Sequence, residues 1–192
     1  MIRLAAVADL HVHAAGEQAL REMLDMVQSE ADVLVVAGDL TDTGLESEAR
    51  VLASALDDVT IPVVGVLGNH DFHHEQHVAI QQVLREHGMT LLDGEGWTFE
   101  HDGLRLGLAG CVGFGGGFRP YNLTSFGEPE WKYLYQKVVE ESRKLERALA
   151  AVHDADHIIA ITHYSPTVET MGDEPEALYS YLGSSELGGA LE

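Results

Sequence analysis

A single cysteine, Cys111, in a chain of 192 residues excludes an internal disulfide and a structural zinc site built from thiolates. A reducing, cytoplasmic setting is the expectation. Basic residues are scarce too: 11 Lys and Arg stand against 32 Asp and Glu, a net charge of −21. Nonspecific nucleic-acid binding takes its energy from Lys and Arg neutralising phosphates, so long DNA or RNA is not an expected partner. Long hydrophobic runs are missing as well. The first apolar stretch, from Ile2, is broken by Asp9 and His11 and is too short and polar for a signal peptide or a membrane span, so no membrane partner is expected. An acidic chain can still take a small phosphorylated substrate, because divalent cations invert the sign of a carboxylate site.

What is present, 45% hydrophobic and 22% charged residues, suits one buried domain over residues 1–192. Apolar runs alternate with helix-like segments through the first half: 2–8 then 17–30, 32–37 then 45–56, 61–67 then 75–87. Val33-Leu34-Val35-Val36 is apolar throughout, as in strands covered on both faces of a parallel sheet. Short strands follow over 89–92, 97–100 and 104–111, with Asp102-Gly103 as a hairpin signal, so an antiparallel region is expected there. Residues 113–127 read as a long loop, 128–154 as a charged helix with a solvated face, 158–162 as a buried strand and 174–182 as a helix. The class is α/β, with largely parallel or mixed sheets flanked by helices.

Four of these strands end in polar groups: Asp9-Leu10-His11, Gly38-Asp39-Leu40-Thr41-Asp42, Gly68-Asn69-His70-Asp71 and Thr162-His163. Singly, Asp9, Asp39 and Asn69 serve as helix caps or turn formers. Together they can converge, since ligand sites in open α/β sheets lie beyond the carboxyl ends of the strands. Asp9, His11, Asp39, Asn69 and His163 form a mixed oxygen and nitrogen set suited to manganese, iron or zinc rather than calcium. Two such ions, roughly 3.5–4 Å apart, clamp a phosphoryl group and generate hydroxide between them.

In this order the four blocks resemble the signature of the calcineurin-like metallophosphoesterase family, an α/β/β/α sandwich that hydrolyses phosphomonoesters or phosphodiesters. The resemblance implies that two divalent ions, manganese first and iron or zinc as alternatives, are bound as follows. Asp9 and His11 hold one, Asp39 bridges both, and Asn69 and His163 hold the second. It further implies that His70 faces the substrate and assists the leaving group, and that Asp71 orients it. Asp42 then supports the ligands or a turn.

The family's later Gly-His-x-His block, which gives one histidine to each metal, has no counterpart here. The chain is therefore expected to be incomplete at its C-terminal end, with weakened metal affinity and an open sheet edge prone to self-association. His73 and His77, spaced i,i+4, and His74 beside them, either substitute or form a solvated helix start. The alternative function is a binding or scaffold module that keeps the fold without full catalysis. On the substrate side, Arg119 is either a phosphate clamp or a surface arginine. Phe114, Phe118 and Tyr121 either stack on a planar group or pack their loop.

Overall fold

Val33-Leu34-Val35-Val36 leaves no polar face, and strand β2 (Val33–Ala37) that contains it is buried on both sides. It lies inside a four-stranded sheet of order β1-β2-β3-β4, between β1 (Leu4–Val7) and β3 (Val63–Val66), with β4 (Met89–Leu91) beyond β3. The computed structural model describes residues 1–13 and 16–192. It forms two compact units, Met1–Leu92 with Phe99–Arg105, and Asp93–Thr98 with Leu106–Glu192.

Within this four-stranded sheet the pairings are parallel, in registers that place Val7 beside Val36 and Ala37 beside Val66. The carboxyl ends of β1, β2 and β3 therefore lie side by side. Helices α1 (Glu17–Glu30), α2 (Glu46–Leu56) and α3 (His77–Glu86) make the crossovers. Each buries an apolar stripe: Leu20 and Leu24; Ala49, Leu52, Ala53 and Leu56; Ile80, Val83 and Leu84. Each Leu or Ile so buried stabilises the fold by about 1.5–3 kcal/mol. Strand β4 corrects the expected antiparallel start at Met89, because a helical crossover returns the chain in its original direction and β4 pairs parallel with β3.

The second sheet has the order β5-β6-β7, from β5 (Glu95–His101), β6 (Leu104–Cys111) and β7 (His157–Thr162). Asp102 and Gly103 join β5 to β6 with φ of 51° and 74°, the left-handed pair that a two-residue hairpin needs. Helix α4 (Pro129–Ala151) crosses from β6 to β7, which run parallel. Its Leu145 packs with Cys111 and Leu187, and its Ala148, with Val152, packs on Ala109. Burial pushes the Cys111 thiol up to about 12, so it is an inert core group.

Helix α4 is not solvated along its whole charged face. Glu141 is buried and accepts a hydrogen bond from the Gly113 N–H at 3.0 Å, and the Lys144 ammonium sits 2.8 Å from Glu141 and 2.7 Å from Asp93. Burial would lower the Lys144 pKa, but its bonds to these two carboxylates hold it above the ordinary value. The helix expected over 174–182 shortens to a 3₁₀ turn, Glu176–Leu178, and one turn of helix, α5 (Tyr179–Leu182), followed by α6 (Ser185–Gly189). Pro175 disfavours helical geometry at Glu174, which delays the start. Among the described residues no helix is long and apolar enough to cross a membrane.

Candidate metal centre

Beyond the ends of β1 and β2 the two chains stay tied as an irregular ribbon. Asp9 N–H bonds the Gly38 carbonyl at 3.1 Å, His11 N–H the Asp39 carbonyl at 3.0 Å, and Val12 N–H the Leu40 carbonyl at 3.1 Å. Within this ribbon Asp9, His11 and Asp39 have φ of 55°, 42° and 48°. Left-handed backbone at a non-glycine residue is costly and persists only where surrounding bonds enforce it, which is typical of functional sites.

The side chains gather around Asp39, which is 4% exposed. Its Oδ1 accepts the His70 N–H at 2.9 Å, and its Oδ2 lies 3.7 Å from His11 Nε2 and 3.9 Å from His70 Nε2. The His11 and His70 rings meet edge to face, 4.5 Å between centroids. Ligand atoms of His11, Asp39 and His70 lie within 4.8 Å of one another, and Asp9 brings a carboxylate oxygen within 4.8 Å of one of Asp39. Among the described residues His11 Nδ1 is buried without a hydrogen-bond partner, and Asp42 Oδ1 lies 3.7 Å from it. A cation held among these carboxylates and imidazoles would offset the crowding of negative charge around Asp39. The residues fit a divalent transition metal.

His70 is oriented by a backbone oxygen. Its Nδ1 lies 2.6 Å from the Asp42 carbonyl, which can only accept, so Nδ1 carries the proton and Nε2 is the nitrogen turned toward Asp39. That bond raises the imidazole's pKa, burial opposes it, and the charges of Asp39, Asp42 and Asp71 add to the rise. Asp71, expected to orient this ring, does something else. Fully buried, its carboxylate accepts from Leu40 N–H at 3.2 Å, Thr41 N–H at 2.8 Å, Thr41 hydroxyl at 2.6 Å and Gly68 N–H at 2.8 Å. Gly68 is needed next to it. A Cβ there would overlap the Asp39 amide nitrogen and Oδ1 and come within 2.8 Å of Asp39 Cγ.

The family model of the calcineurin-like phosphoesterases matches residues 2–187. The chain belongs to this family. Its members are metal-dependent phosphoesterases with a dinuclear centre, and the mixed α/β architecture is that of a calcineurin-like phosphoesterase. One solved structure resembles all of this chain and 80% of its own, at 13% identity and a TM-score of 0.59. A protein of unknown function from Aquifex aeolicus covers 98% of this chain and 92% of its own at 14% identity, with a TM-score of 0.38. A hypothetical protein from Thermus thermophilus covers 88% of this chain and 70% of its own at 18% identity, with a TM-score of 0.42. No curated protein matches.

Three of the four calcineurin-like phosphoesterase blocks thus lie in the first unit, and that unit brings Asp9, His11, Asp39 and His70 together. Asn69 is exposed, just before the 3₁₀ turn His70–Phe72. His163 lies in the second unit at the end of β7, half-buried, its N–H bonded to the Val112 carbonyl at 3.1 Å and its ring edge-on to Tyr164. Arg119, also in the second unit, is 72% exposed, with a guanidinium nitrogen 3.8 Å from Glu186. Phe118 is buried against Tyr179 and Phe114 packs on Tyr164, while Tyr121 is 88% exposed. His73 and His77 do not share a helix, because α3 starts only at His77. His74 Nδ1 bonds the Thr43 carbonyl at 2.6 Å. Sequence reading missed Thr41 and the Asp42 carbonyl, whose roles depend on partners from another strand end.

Proposed function

We propose that the chain hydrolyses small phosphomonoesters or phosphodiesters at a dinuclear centre, with manganese as the ion best suited to its donors and iron or zinc as alternatives. One observation carries this: Asp39 sits with Asp9 within ligand reach and with His11 and His70 around its Oδ2. Asp9 and His11 would hold one ion, Asp39 both, and Asn69 with His163 the second. Such a pair of ions, when bound, supplies Lewis acidity toward phosphoryl oxygens and activates water at neutral pH.

The chain's own groups do the rest. Asp9, Asp39 and Asp42 repel a phosphate dianion unless cations are present, so turnover depends on metal. The Asp42 carbonyl fixes the His70 ring, leaving Nε2 to carry a proton to the departing oxygen. His70→Ala should lower turnover of a small phosphodiester by about 100-fold or more while manganese content by elemental analysis stays unchanged. Unchanged turnover with metal retained would remove His70 from the reaction.

A further inference from the structure

We infer that Thr41 and Asp71 form a positioning pair that fixes the distance between Asp39 and the His70 turn before any ion binds. The inference rests on the proposed metal site. Both residues are 0% exposed. Each Asp71 oxygen takes two donors: Oδ1 the Thr41 N–H and hydroxyl, Oδ2 the Leu40 and Gly68 N–H groups. That fills the lone-pair directions of a carboxylate, so the buried charge is met by four donors instead of by a cation.

The donors come from two places. Leu40 and Thr41 follow Asp39 at the end of β2, and Gly68 opens the turn after β3. The clamp therefore grips the chain one residue after Asp39 and one residue after His70. A second link, His70 N–H to Asp39 Oδ1 at 2.9 Å, joins the same two segments from the site side. Asp39 holds φ of 48° between these attachments, and the Leu40 N–H bond to Asp71 restrains the peptide that follows it. Without the Thr41 hydroxyl, Asp71 loses its 2.6 Å bond, the buried carboxylate is under-satisfied, and the two strand ends are free to separate. Groups that hold metal ligands in this way typically set metal affinity by about 10–100-fold.

The test is manganese affinity by calorimetry, with melting of the metal-free protein in parallel. Thr41→Val keeps the shape and removes the hydroxyl, and Thr41→Ser restores it. Thr41→Val should weaken manganese binding by about 10-fold or more, with Thr41→Ser close to wild type. Ile80→Val, in the core of α3, should lower the melting temperature and leave the affinity alone. Wild-type affinity in Thr41→Val, or an equal loss in Ile80→Val, overturns the pair's role. Asp39→Asn separates the two ideas: if it binds manganese as tightly as wild type, the metal site itself is wrong. Amide exchange in the metal-free wild-type protein needs no variant. Slow exchange at Leu40, Thr41 and Gly68 supports a preformed clamp, and fast exchange at all three refutes it.

Discussion

At position 68 the absence of a side chain decides the geometry of the site. Because a Cβ at Gly68 would collide with backbone and carboxylate atoms of Asp39, Gly68→Ala should destabilise the protein by about 1–3 kcal/mol. It should also displace Asp39 enough to weaken manganese binding, and calorimetry with a melting curve checks both. An alanine variant with wild-type affinity would mean that the two loops move apart freely. The gathering of Asp9, His11, Asp39 and His70 was legible because neighbouring strand ends of a parallel sheet bring such groups together. The work of Asp71 was not legible. Its partners Leu40 and Thr41 lie 31 and 30 positions away, and adjacency to His70 suggested a local role that the buried donors claim instead.

Among the elements, α2 connects the site loop to the body through Glu48. Burial would raise this carboxyl, but bonds from the Thr43 N–H and hydroxyl and from the Leu45 and Gly44 N–H groups outweigh it, leaving the pKa below the ordinary 4.5. A depressed carboxylate stabilises the fold above its unfolded-state value and loses that contribution as pH falls through its folded value. Glu48→Gln should therefore lower the melting temperature by about 2–4 °C at pH 7, a loss of about 1 kcal/mol. The gap to wild type should close as pH falls below 4.5. A gap independent of pH would assign the loss to packing. Elements with strong periodicity, such as α1 over 17–30 and β6 over 104–111, were readable to the residue. The direction of β4 was not, since three residues carry no mark of the strand they will pair with.

For the whole chain, 32 acidic against 11 basic residues implies self-repulsion that opposes the folded state and is screened beyond about 10 Å at 0.1 M salt. Metal-free protein should melt at a higher temperature as sodium chloride rises from about 0.02 to 0.5 M, over a range set by that screening length. A fall would show that ion pairs such as Arg3 with Asp32 and Lys144 with Asp93 dominate. Family membership was readable because its blocks are spread over most of the chain.

The left-handed backbone at Asp9, His11 and Asp39 bears on how this sequence can change over generations. Each of the three positions would be more comfortable as glycine, by about 1 kcal/mol or more. A population screened for heat resistance alone would drift toward glycine there and end with a hardier protein stripped of these candidate ligands. Keeping carboxylate and imidazole at these positions is thus a standing cost in robustness, one that only selection for the chemistry can maintain.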